Sequence, residues 1–264
     1  MKRIIILVTF CIIIVSMFYG CSLLANESNT ESKTKESYML NERQKGILKK
    51  EGLPTDYNEL SLTKKIAIEA IEDMFQYLDR QYPNEKFEYA GYISQSSLES
   101  EQLIVYSPYG KVTVYRDNAG DSHTYKDDYC EAKASDQYAT VVNDYLSNSV
   151  NEDDYIVSVN VGKINSEFDR ESIIKNCDAS TTIFVREKIG ESEFKRICSM
   201  TSDYLSKNAG DASVSVDYFL VKESEFSIDL PEQYLNDINM EIFLKQWSYY
   251  HRKNGEEKLY EVER

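Results

Sequence analysis

Few side chains in this sequence stand where they could do chemistry. Cys21 follows Gly20 at the end of a run of apolar and small residues, 4–19, which is itself preceded by Lys2 and Arg3. A positive start, an apolar core and a small residue before the cut are the anatomy of a secretory signal. A cut there would make Cys21 the first residue of the mature chain, where its thiol could carry a thioether-linked diacylglycerol. Ser-x-x-Lys occurs at Ser61–Lys64, Ser172–Lys175 and Ser192–Lys195, a spacing that sets a nucleophile and a lysine on one helical turn. The Ser-Asp-Asn and Lys-Thr-Gly elements that would complete such a site are absent. All three therefore read as helix starts with capping serines and solvated lysines.

The other candidates are sparse. There are two histidines, His123 beside an expected turn and His251 in an expected hairpin, both read as solvated or edge residues. That count leaves little for His-based acid–base work or for a His/Cys zinc site. No glycine-rich phosphate loop, Gly-x-Ser-x-Gly elbow or His-Glu-x-x-His helix occurs. The acidic clusters Asp127-Asp128 and Glu152-Asp153-Asp154 lack the alternation and glycine of a calcium loop, which must supply 6–8 oxygens, so both read as loop charge. Neither a cofactor nor a catalytic or metal-ligating residue is expected. The 21 tyrosines suit strands and also contact surfaces. Near the C-terminus Trp247 and Tyr249 form a candidate binding surface.

The first 21 residues resemble the signals of bacterial lipoproteins processed by signal peptidase II. Gly20 and Cys21 match the end of the recognition box, while Phe18 and Tyr19 stand where that family usually has Leu and a small residue. Cys11 lies inside the apolar run after Phe10 and is no competitor. The resemblance implies a signal peptide over 1–20, a lipid on Cys21 and an extracytoplasmic, membrane-anchored protein. The other reading of the segment is an uncleaved anchor, for which 16 residues are short against the roughly 20 needed to cross a bilayer. The chain also resembles the surface lipoproteins of Gram-positive bacteria, which carries no activity with it.

Without the signal, 28 basic residues face 45 acidic ones, a formal charge of −17. Phosphate contacts need clustered Lys and Arg, so nucleic acid is excluded as a partner. The same charge repels anionic headgroups, leaving the lipid to make the membrane attachment. Cys130, Cys177 and Cys198 remain, an odd number that cannot all pair within one chain. Cys177 and Cys198 are the nearest pair for one disulfide, although Cys198 also suits an apolar helix face.

Several elements must position whatever site exists. Residues 22–37 are polar and read as a tether, spanning roughly 20–24 Å as a coil. Order begins at Asn41, an N-cap, and the first helix stops at Gly52. Leu62, Ile66, Ala70, Met74 and Leu78 predict an amphipathic helix over 61–81 that buries this stripe. Strands are expected at 87–93, 103–106, 112–116 and 122–125, with Asp117-Asn118-Ala119-Gly120 as a turn. Ser135 is placed as the cap of the next helix, followed by strands at 156–161 and 181–186. A helix over 191–207 should bury Phe194, Ile197, Cys198, Thr201 and Leu205, before a strand at 214–221. Asp144-Tyr145-Leu146-Ser147 is echoed by Asp203-Tyr204-Leu205-Ser206, as a repeated unit or as common helix-end usage. Asn254-Gly255 suits a two-residue hairpin turn. It would pair 243–253 with 256–262, set Trp247 opposite Val262 and pack Trp247 on the domain.

These elements predict an α+β fold, two-layer, with amphipathic helices packed on a mainly antiparallel sheet. Residues 38–264 form one extracytoplasmic domain, divisible at 129/130. The expected function is non-catalytic binding of a protein, peptide or envelope ligand. Solute capture for a transporter and an envelope enzyme without a recognised motif stand as alternatives. A deep closed pocket would mark the first, and convergent perturbed side chains in a cleft the second.

Overall fold

Local sequence signals set most of the elements. In the computed structural model, residues 38–96, 100–119, 122–231, 240–252 and 256–262 are described. The expected signal, Cys21, the tether and the 254–255 turn lie outside them. Asn41 opens α1 (Glu42–Lys50) with a reciprocal capping box: its side chain accepts from Gln44 N at 2.8 Å, and its own N–H donates to Gln44 Oε1 at 3.0 Å. Such a cap contributes about 1 kcal/mol. Helix α2 (Leu62–Gln81) ends where expected, but Leu62 and Ile66 are exposed and Ile68 is buried in their stead. The reason is geometric. At 3.6 residues per turn, a strict four-residue repeat drifts about 40° each step. Positions 68, 71, 75 and 78 alternate steps of three and four and stay on one face.

Asn41–Arg264 is one compact unit with an α+β fold containing two mainly antiparallel sheets. The first sheet is a meander in the order β1 (Glu88–Ile93), β2 (Glu101–Ser107), β3 (Gly110–Ala119), β4 (Ser122–Asp127). Its inward face is Leu103, Val105, Val112 and Val114, all fully buried, the period-two alternation of a half-covered sheet. Helix α2 lies across it, with Tyr77 stacked on Tyr125 of β4 at 5.0 Å.

Helix α3 starts at Tyr129 and runs to Ser147, six residues before the expected cap. Ser135 is inside it. Its hydroxyl donates to Glu131 O at 2.7 Å and accepts from Val161 N at 2.9 Å, so it ties helix to strand instead of ending a helix. The second sheet follows in the order β5 (Tyr155–Ile164), β6 (Cys177–Arg186), β7 (Val214–Val221), β8 (Phe243–His251), β9 (Glu257–Glu261). Between β5 and β6 lies α4 (Ile173–Asn176), a single turn. Helix α5 (Glu191–Ala209) joins β6 to β7, the one parallel pair among the described strands. It buries Phe194, Ile197, Cys198, Thr201 and Leu205 as its periodicity requires.

One core lies under α3, α4 and α5 and includes Tyr138, Val142, Ile183, Tyr218 and Tyr249. The two echoed segments meet there: Tyr145 and Tyr204 stack at 4.0 Å with rings 8° apart, and Leu146 and Leu205 are both fully buried. A second, smaller core lies on the opposite face of the sheet, where Leu230 joins Phe184, Phe219, Val221 and Phe243. Phe243 reaches it because the register shifts between Leu220 and Val221. The hairpin of β8 and β9 exists in a register one residue from that expected. Trp247 faces Glu261 and Tyr249 faces Leu259, while Arg252 N donates to Glu256 O at 2.9 Å. That register leaves three residues, 253–255, in the connection, and a one-residue slip turns every side chain of β9 to the other face.

Candidate functional site

The residues singled out by spacing do not converge. Ser61 occupies the N-cap of α2 without a side-chain bond. Ser172 closes a turn with Asp169, donating at 2.6 Å, and Lys195 pairs with Glu191 at 2.9 Å. Asp127 and Asp128 are not loop charge but a junction between β4 and α3. The Asp127 carboxylate accepts from Tyr77 at 2.5 Å, Tyr82 at 2.8 Å and Tyr129 N at 3.0 Å. Burial first, then these bonds, push the Tyr77 and Tyr82 phenols up. Asp128 accepts from Thr113 N at 2.7 Å, and burial holds its carboxyl above the usual range despite that bond. Asp154 forms an ion pair with Lys188 at 2.6 Å. His123 is exposed on the edge strand β4. His251 is buried instead of solvated, with Nε2 3.2 Å from Gly210 O. Cys177 and Cys198 are free and buried, the Cys177 thiol pushed up to about 11 by burial. Cys130 is free and exposed.

Trp247 and Tyr249 face α5 and the main core. Tyr249 is 4% exposed and Trp247 half-buried, so the pair packs as core. The first sheet holds a polar cluster that sequence reasoning missed. Arg116 and Glu101 face each other across β3 and β2 with Nε–Oε2 at 2.5 Å, both under 10% exposed. Arg116 also pairs with Asp73 of α2 at 3.0 Å, and Tyr92 donates to Glu101. These groups satisfy one another and fasten helix to sheet. They present nothing to a ligand.

Among the described residues, a set of accessible, uncommitted polar groups lies on the face of the second sheet that points away from the helices. Three cross-strand rows follow from the register. The first, Ile156–Phe184–Phe219–Gln246, is apolar for three strands and lies at the small core. The next is Ser158–Thr182–Asp217–Ser248–Tyr260, and the last is Asn160–Ser180–Ser215–Tyr250–Lys258. Two residues along each strand the face thus changes from aromatic to hydroxyl and amide. Beyond that change lies a shallow groove of about 610 Å³, floored by Asn160, Ser180 and Ser215 and walled by Tyr250 and Arg252. The volume falls within the range of small-ligand sites. A register shift between Val161 and Lys163 bends β5 at Gly162, one end of the groove.

Among the described residues, the side chains of Ser158, Asn160, Ser180, Thr182 and Ser215 form no hydrogen bond with the protein. Asp178, Asp217 and Arg252 beside them are engaged, and Lys258 at the end of the last row lies over the Tyr260 ring. Asp178 accepts from Asn165 at 2.7 Å and from Ser213 N at 2.9 Å, and Asp217 accepts from Ser248 at 2.6 Å. Arg252 pairs with Glu256 at 3.1 Å, and Tyr250 donates to the same carboxylate at 2.8 Å. The groove can therefore exchange hydrogen bonds with a ligand, but it offers no activated nucleophile. The signal was present as alternation at 158 and 160; the row could not be seen until distant strands were paired.

No family model matches the chain, and no curated protein matches it. Among solved structures, a DUF5037 family protein from Ruminococcus gnavus ATCC 29149 is similar, at 13% identity and a TM-score of 0.47, over 69% of this chain and 91% of that one.

Proposed function

We propose that the protein is an extracytoplasmic lipoprotein, anchored to the cell membrane through a diacylglycerol on Cys21, that binds an envelope component without catalysing a reaction. The anchor is supported by Lys2, Arg3, the apolar run and the Gly20-Cys21 pair. Two acyl chains hold a protein stably at a membrane where one does not. The observation that carries the binding role is the groove of the second sheet, where neutral polar side chains stand uncommitted while Asp178, Asp217 and Arg252 beside them already hold hydrogen bonds within the protein. An open groove suits a surface-bound partner better than solute capture, which calls for enclosure.

The anchor is tested by expressing the full chain in a Gram-positive host, fractionating the cells and analysing the mature N-terminus by mass spectrometry. The expected result is membrane-bound protein beginning at a lipid-modified Cys21. Cys21→Ala should remain an unlipidated precursor, held at most by its unprocessed signal. A wild-type N-terminus carrying no lipid on Cys21 overturns the assignment.

A further inference from the structure

We infer that the groove on the open face of the second sheet takes an uncharged, polyhydroxylated ligand, a glycan chain lying across the strands. The inference rests on the reading of this face as a binding site and deepens it by naming the ligand chemistry. Three observations carry it.

The first is which groups are available. Beyond Asn160 on the edge strand β5, the floor belongs to β6 and β7, which are interior strands. Their backbone N–H and C=O groups are consumed by pairing with neighbours on both sides. A peptide that adds to a sheet needs an edge, which here is β5 alone, so a chain lying across β6 and β7 finds no backbone partners there. Only side chains can bond, and those side chains are amide and hydroxyl. The second is charge. Asp178 and Asp217 repel an anion, and both already accept hydrogen bonds within the protein. Arg252 is taken by Glu256. A phosphate-rich ligand meets the Asp178 and Asp217 carboxylates beside the row and Lys258 only at its far end, whereas a neutral hydroxyl meets both donors and acceptors.

The third is spacing. Asn160, Ser180 and Ser215 lie directly opposite one another on β5, β6 and β7. Adjacent strands are about 4.8 Å apart, close to the length of one sugar ring. Each ring of a chain crossing the strands can thus meet its own amide or hydroxyl. Tyr250 stands at the far end of this row, its hydroxyl held by Glu256 and Arg252 4.9 Å from the ring centre. It gives the chain an aromatic end stop.

The test is calorimetric titration of the full-length protein in detergent with an uncharged β-linked N-acetylglucosamine tetramer, at low salt and again with salt raised tenfold. The wild type should bind equally in both. Asn160→Ala, and separately Ser180→Ala with Ser215→Ala, should weaken binding about tenfold, which is the loss of roughly 1.4 kcal/mol. These side chains are exposed and unbonded, so the melting temperature should not move and a folding defect is distinguishable. Saccharide affinity unchanged in both variants overturns the inference. Binding of polyglutamate or polylysine in place of the tetramer, through the same residues and suppressed by salt, overturns the ligand class but leaves the face as a site. So does binding of an uncharged peptide there. If none of the four probes is affected by these substitutions, both the ligand class and the site reading fail.

Discussion

Charged residues are where the sequence was least transparent. Arg116 and Glu101 occupy inward positions of β3 and β2, where period two demands an apolar residue, and only their mutual pairing makes them tolerable. Nothing local announces such a pair, because the two are fifteen positions apart and each alone resembles a solvated strand end. Asp128 poses a similar problem and offers a measurable consequence. Its carboxyl is held above the usual range chiefly by burial, opposed by the bond from Thr113 N. A carboxyl raised on folding contributes stability that is fully present below its unfolded pKa, about 3.9. That contribution is lost as pH rises through the raised folded value. Asp128→Asn keeps an acceptor for Thr113 and removes the charge. The variant should therefore unfold at higher urea than wild type at pH 7, and the gap should close as pH falls below about 4. A gap that widens on acidification would contradict this account.

Elements were legible wherever a local signal sufficed. The cap at Asn41, the end of α2 at Gln81, the full span of β7 and the buried stripe of α5 follow from capping chemistry and period alone. Failures occurred where tertiary contact outvoted a local preference. Serine favours caps, yet Ser135 bonds β5 from mid-helix. Asn254-Gly255 suits a two-residue turn, yet the register set by Arg252 and Glu256 leaves three residues between the strands. Glycines give the same contrast a quantity. Gly210 ends α5 at φ +56°, and a Cβ there would lie 3.4 Å from Lys175 Cβ. Gly46 lies inside α1 with open space around it. Gly210→Ala should cost about 1–2 kcal/mol, because an L side chain is strained at that angle. Gly46→Ala should instead stabilise by about 0.5–1 kcal/mol through helix propensity. Chemical denaturation of the two single variants checks the opposite signs.

At the scale of the whole molecule, the α+β class follows from the order of helical and alternating segments, but the division into two sheets does not. Both sheets are written in the same strand vocabulary, and only pairing separates them. The groove is of the same kind: Asn160, Ser180 and Ser215 come from three strands that no short-range pattern links. The parallel pairing of β6 with β7 has a kinetic consequence. The first sheet is a meander whose strands each pair with the next in sequence, so its loops close early. Pairing β6 to β7 must instead wait for 27 intervening residues, with α5 among them, to cross back over the sheet. Contacts of long sequence separation slow folding. The second sheet should therefore be the later to form, after the first has already closed. Trp247, the only tryptophan, lies on β8 and reports on that step. In refolding from urea, its fluorescence should lag hydrogen-exchange protection at residues 101–119. Until β7 and β8 join, the exposed edge of β6 is the place where an unfinished molecule is open to pairing with its neighbours.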